Sequence, residues 1–139
     1  MVRFSNYELI EALHKNSRTS FTELAKRFKV SETAVRKRVK KLESEGVIEG
    51  FSLKLNPKKV DFIISIIGVD ALPESYFKVI ESLKKKREVK SLFTSSGDHM
   101  ILMECWNSSR EKIKTFIRNI ENMEGVTKVC PAIILDRVK

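Results

Sequence analysis

The sequence predicts an α+β chain: a compact three-helix unit followed by a domain in which strand, helix and strand recur twice. Three observations carry this expectation. Two Ser–Glu pairs stand at helix-start spacing ahead of short apolar stripes, and a third helical stripe carries a dense run of Lys and Arg. Beyond Pro57, apolar runs alternate with amphipathic segments, and corresponding elements recur at roughly 37 positions. With 139 residues, 42% hydrophobic and 32% charged, the chain suits one domain or two small ones and is too apolar for a disordered segment.

The first helix starts at Ser5, with Glu8 three residues on, and its stripe of Leu9, Ile10 and Leu13 runs to about Lys15. The segment NSRT interrupts it. Ser20 and Glu23 repeat the box ahead of Leu24, Ala25 and Phe28, giving a short second helix. Ser31 caps a third, in which Val35, Val39 and Leu42 recur at helical spacing until Gly46. Residues 47–56 alternate at Phe51, Leu53 and Leu55, predicting a strand or hairpin that leads out of the helical unit. The expected organisation is therefore a helical domain at 1–46, a linker strand or hairpin at 47–60 and a second domain at 61–139.

In the second domain FIISIIGV (62–69) precedes a helix at about 74–87 and a strand at 89–95. MILMECW (100–106) precedes a helix at about 109–123 and a strand at 126–135. Two such halves predict a ferredoxin-like βαββαβ sandwich, with four antiparallel strands and both helices on one face. Ile64 and Ile66 would then share a face opposite Ile63, Ile67 and Val69, and Met100 and Leu102 one opposite Ile101 and Met103. Helices can cover only one side of such a sheet. Self-association through the side bearing Ile64, Ile66, Met100 and Leu102 is the simplest cover, and dimer, tetramer and octamer stay open.

The formal net charge is +9, which favours an anionic partner. Residues 26–41 concentrate it, with Lys26, Arg27, Lys29, Arg36, Lys37, Arg38, Lys40 and Lys41 against the single acid Glu32. On a helical wheel, Thr33, Arg36, Lys37 and Lys40 lie away from the stripe of Val35, Val39 and Leu42, so the basic side faces solvent. A short helix, a tight turn at Lys29 and Val30, and a Ser31-capped basic helix make a helix-turn-helix whose second helix fits the major groove of double-stranded DNA. Thr33, Arg36 and Lys37 would reach base edges, whereas Lys26, Arg27, Lys40 and Lys41 would meet phosphates. Arg38, about 60° from the core direction, would instead lie along the helices.

These residues, and the order of elements after them, resemble the Lrp/AsnC (feast/famine) transcriptional regulators. The stretch TSFTELAKRFKVSETAVRKRVKKLESEGVIEGF is similar to the family's winged helix-turn-helix and first linker strand, and the likeness covers nearly the whole chain. It implies assembly through the C-terminal domain. It also implies an amino acid or related effector at subunit interfaces near the turn Ser95, Ser96, Gly97, Asp98, His99. Met100 stands there where family members usually carry an acid. The alternative for the turn is a plain hairpin, Gly97 supplying an unusual φ and Asp98 bonding locally.

No activated catalytic group is recognisable. Ser95, Ser96, Asp98 and His99 are hairpin neighbours that cannot all converge, and no GxGxxG, Walker loop or HExxH is present, so no enzyme, cofactor or metal is expected. Cys105 and Cys130 lack metal-ligand spacing and read as buried free thiols, and His14 as a surface or packing residue. Without a long apolar run or signal core the chain is expected in the cytoplasm, away from membranes. An RNA-binding βαββαβ domain would need aromatics that LFTSSGDH lacks. An architectural DNA binder with little sequence preference and no effector stays open beside the regulator.

Overall fold

The computed structural model describes residues 4–139 and divides into two compact units, Met1–Lys54 and Leu55–Lys139. In the first, α1 (Asn6–Lys15), α2 (Phe21–Phe28) and α3 (Glu32–Ser44) follow the order and lengths that the caps predict. Both capping boxes form. Ser5 Oγ accepts the Glu8 N–H at 3.1 Å while the Glu8 carboxylate accepts the Ser5 N–H at 2.8 Å, and Ser20 and Glu23 exchange the same pair of bonds. Amides that a helix start leaves unpaired are thereby satisfied within four residues.

Leu9, Leu24, Val35 and Leu42 are almost wholly withdrawn from water and form the centre of this unit's core, and Phe4 stacks on Phe28 with ring centroids 4.8 Å apart. Burial of each such side chain is worth about 1.5–3 kcal/mol, which is what holds three short helices that would not persist alone. The turn between α2 and α3 is made by Lys29, which adopts a left-handed backbone conformation at φ 55°. Its N–H and that of Val30 both reach back to the Ala25 carbonyl, closing α2 and redirecting the chain toward the Ser31 cap.

Residues 47–62 contain no strand, so the strand or hairpin expected at 47–60 does not form within this chain. A β-strand needs a neighbouring edge to satisfy its N–H and C=O groups and a core to cover one side. Ile48 packs on the first unit's core, but beyond it neither is present among the described residues: Phe51 is 55% and Leu53 80% exposed. The boundary between the units, at 54/55, falls inside the expected linker.

The second unit is built from β1 (Ile63–Ala71), a 3₁₀ turn at Pro73–Ser75, α4 (Tyr76–Lys84), β2 (Val89–Thr94), β3 (Ile101–Asn107), α5 (Arg110–Glu121) and β4 (Val126–Ile133). Its sheet has the order β2-β3-β1-β4 and every pairing is antiparallel, the ferredoxin-like arrangement the repeat predicts. The first helix is shorter than expected because Pro73 opens it as a 3₁₀ turn and the chain leaves it at Lys84. Val79, Leu83, Phe116 and Ile120 of the helices pack on Ile67, Val69, Ile101 and Met103 of the sheet. Where α5 returns to β4, Gly125 takes φ 85° and abuts Ser75, and its carbonyl accepts the Leu72 N–H at 2.8 Å. A side chain there would collide with the 3₁₀ turn.

The helix-side face of the sheet also holds two buried polar atoms with no hydrogen-bond partner among the described residues, Ser65 Oγ on β1 and Asn107 Oδ1 on β3. Each costs about 1–3 kcal/mol if nothing meets it. On the other face Ile64, Ile66 and Leu102 remain half-buried and Phe93 is exposed, as the alternation predicts. Met100 lies outside β3 and packs partly against the unit's own core. Of the two thiols, Cys105 is buried and pushed up to about 12 by that burial and by Glu88 and Glu104, whereas Cys130 is only half-buried and departs from the expectation of two buried thiols. Among the described residues no helix is long and apolar enough to cross a membrane.

The left-handed Lys29 yields a stability prediction. Lys29→Val should lower the melting free energy of the first unit by about 1–2 kcal/mol relative to Lys29→Gly, because a β-branched residue meets the left-handed steric penalty that glycine escapes. Equal melting of the two variants would show that the turn does not need this conformation.

Candidate nucleic-acid interface

The position of α3 is decided by its apolar side. Val35, Val39 and Leu42 are 0%, 4% and 1% exposed, so the helix can sit in only one rotation, which leaves Thr33, Arg36, Lys37, Lys40 and Lys41 in solvent. Ser31 Oγ accepts the Ala34 N–H at 3.1 Å and fixes the N-terminal end of the helix, next to Thr33, Arg36 and Lys37. Lys26 and Arg27 of α2 are also exposed, so all eight residues singled out in the sequence are accessible.

Contacts around Arg36 and Arg38 divide the two arginines. Arg38 is half-buried: its Nη1 donates to the Phe4 carbonyl at 3.1 Å and to Asn6 Oδ1 at 3.0 Å, and its guanidinium lies 4.6 Å from the centroid of the Phe4 ring. It therefore ties α3 to the start of α1, as its wheel angle predicts. Arg36 instead pairs with Glu32 at 3.3 Å and lies 5.6 Å from the Phe21 ring centroid, while Glu32 accepts a bond from Thr22 Oγ1 at 3.2 Å. An ion pair this exposed is worth at most about 1 kcal/mol, so Arg36 can exchange Glu32 for another acceptor. Among the described residues Lys26, Lys37 and Lys40 enter no ion pair, and Lys41 approaches Glu45 only at 3.9 Å.

The turn at 95–99 is organised by a residue the sequence reading did not single out. Asp70, on β1, accepts the Met100 N–H at 2.9 Å through Oδ1 and meets His99 Nδ1 at 3.0 Å through Oδ2. The His99 contact foremost, and the Met100 N–H after it, hold the Asp70 carboxyl below its ordinary range. Gly68, two residues earlier on the same face, lies directly beneath the His99 ring, where any Cβ would clash with it. Asp98 is exposed and makes no hydrogen bond among the described residues, and Gly97 does not take a positive φ, so neither performs the local role expected of it in a plain hairpin. Ser95 closes the turn by donating its N–H to the Met100 carbonyl and by accepting the Gly97 N–H on its Oγ. A lone acid at the end of the apolar run FIISIIGVD was the available sign of Asp70's role.

A family model described as winged helix-turn-helix DNA-binding matches residues 6–49, the stretch that carries α1 to α3. Over 133 residues, 94% of each chain, the protein is 50% identical to the HTH-type transcriptional regulator LrpA of Pyrococcus horikoshii. The chain belongs to the Lrp/AsnC family of transcriptional regulators. The solved structure of Escherichia coli AsnC matches with a TM-score of 0.72 at 25% identity, covering 99% of this chain and 95% of that one. The fold is also that of the transcriptional regulator NMB0573 of Neisseria meningitidis, solved as its L-Met complex, with a TM-score of 0.76 at 21% identity over 99% and 93% of the two chains. As an Lrp/AsnC protein the chain is a DNA-binding transcriptional regulator and not an enzyme. Among the described residues no group of three or more His, Cys, Asp or Glu is placed to hold a metal ion.

Asp70 sets an expected pH dependence. Because its pKa is depressed in the folded state, its stabilisation is complete above the ordinary value of 3.8 that it has in the unfolded chain and drains as pH falls through the lower folded value. Acid unfolding followed by circular dichroism should therefore be less steep below about pH 4 in Asp70→Asn than in the unaltered protein. Superimposable acid limbs would mean that the contact adds nothing to the fold.

Proposed function

We propose that the protein regulates transcription by reading specific duplex DNA as a homodimer or larger assembly. Thr33, Arg36 and Lys37 contact base edges from the Ser31-capped end of α3, and Lys26, Arg27, Lys40 and Lys41 contact phosphates. The observation that carries this reading is the segregation of α3: its apolar residues are nearly inaccessible while its cations stand in solvent on a helix of 13 residues. Arg can donate a bidentate pair of hydrogen bonds to guanine, and phosphate contacts add affinity without adding sequence information. The likeness to named transcriptional regulators favours a sequence reader over an architectural coat protein.

Assembly runs through the helix-free side of the sheet. Ile64, Ile66 and Leu102 lie there beside exposed Phe93, an apolar area that a second copy would remove from water, and Met100 stands at its margin. An amino acid or related small molecule at the turn Ser95, Ser96, Gly97, Asp98, His99 modulates the assembly, and the L-Met complex of the Neisseria protein supports that class of effector. With Met100 in place of an acid, the carboxylates near an ammonium group are Asp98, exposed and without a hydrogen bond among the described residues, and Asp70, which His99 already engages. An effector that takes Asp70 has to compete with His99 for it. The expected place of action is the cytoplasm.

Selection from random duplexes, with and without each amino acid, tests specificity and sensing together. On the selected operator Arg36→Ala should lose about 1–3 kcal/mol and relax preference at particular base pairs, whereas Lys41→Ala should weaken all duplexes alike. A uniform loss across sequences for Arg36→Ala would remove that residue from base reading. Ile64→Glu and Ile66→Glu should yield smaller species by light scattering, since a charge buried without a partner is costly. A folded variant of unchanged mass would place the interface elsewhere.

A further inference from the structure

We propose that Glu32 is a positioning residue for base recognition, a role that rests on α3 being the DNA reader: it holds the Arg36 guanidinium in the direction from which that group pairs with guanine. Glu32 is the single acid beside eight cations in residues 26–41, and it opens α3 at the end nearest Thr33, Arg36 and Lys37. A carboxylate there repels the phosphates of a duplex, so by charge alone it costs affinity. Both of its oxygens are engaged. Oε1 accepts from Arg36 Nη2 at 3.3 Å, and Oε2 accepts from Thr22 Oγ1, on α2, at 3.2 Å.

The guanidinium is thus held from two sides, and α2 stands behind both. Phe21 presents its ring 5.6 Å from the Arg36 guanidinium carbon, and Thr22 anchors the far oxygen of the carboxylate that holds Nη2. Phe21 packs against the core of the three helices, so this wall is fixed by burial. An unrestrained arginine gives up rotamer freedom when it docks on a base; one already held gives up less. Glu32 occupies one of the five guanidinium N–H donors, which leaves enough for a bidentate pair with guanine O6 and N7 while the ion pair stays. Lys37 enters no ion pair among the described residues, so its direction is not set in this way. The carboxylate also offsets the charge of Arg36 and so reduces its part in the sequence-independent attraction. The joint effect is weaker binding to any duplex and sharper discrimination among duplexes.

The test uses full-length protein, the duplex recovered by selection and its single-base-pair variants, with affinities read by fluorescence anisotropy at one salt concentration. Glu32→Ala removes the charge and the hold, whereas Glu32→Gln removes the charge but keeps an oxygen for Arg36 and an amide for the Thr22 hydroxyl. Both should bind random duplex more tightly than the unaltered protein. Of the two, only Glu32→Ala should lose preference, by about threefold to fivefold, at the same base pairs as Arg36→Ala, and it should add nothing to Arg36→Ala in the double variant. Thr22→Val, which leaves the charge in place, should lose preference at those base pairs with random-duplex affinity unchanged. Preference kept in Glu32→Ala, or lost equally in Glu32→Gln, would overturn the proposal. So would a change at base pairs that Arg36→Ala leaves alone, because Glu32 would then read them itself. If Arg36→Ala alters no preference, the assignment of α3 as the reader fails and the role of Glu32 with it; if only the Glu32 variants are silent, α3 keeps its assignment and Glu32 loses its role.

Discussion

The burial of three residues on α3 governs the chemistry of the first unit. Val35, Val39 and Leu42 cannot be in water at the same time as the cations of the same helix leave it, so one rotation of α3 satisfies both demands. Every other element of the unit serves that rotation. The two capping boxes give α1 and α2 defined starts, the left-handed Lys29 sets the angle at which α3 departs, and Arg38 ties α3 to the backbone of Phe4. The basic surface is the residue of an apolar constraint: charge stays outside because the core admits nothing else.

The C-terminal sheet follows similar logic with a different outcome. One face is sealed by α4 and α5, yet it retains two unmatched polar atoms, at Ser65 and Asn107, near the end where α5 starts. Its other face remains apolar around Ile64, Ile66 and Leu102 and is crossed at one end by the contact of His99 with Asp70. Apolar area without cover and buried polarity without partners both mark places where the isolated chain is incomplete. The first suits a second copy.

The residues that could be read from sequence were those whose behaviour depends on close neighbours. Helix caps are local, and so are periodic stripes, which is why α1 to α3, the succession of strands and helices along the chain and the exposure of the basic residues follow from spacing. What escaped depended on partners far along the chain or outside it. Asp70 acquires its role from a histidine 29 positions away, and Asn107 lacks a partner only because of what surrounds it in space. The segment 47–56 has the alternation of a strand but no edge to pair with, and alternation alone cannot supply one. Gly97 and Asp98 had the composition of a strained turn, whereas the hydrogen bonds that shape it come from Ser95 and Asp70.

The unequal thiols have a practical consequence. Cys105 is sequestered with its proton held tightly, so an alkylating dye at neutral pH would modify Cys130 first. Cys130 pairs with Gly68 across the β1–β4 ladder and so shares the uncovered sheet side with Ile66. The rate at which that sulfur is labelled, compared between dilute and concentrated samples, reports the occupancy of that side in the unaltered polypeptide.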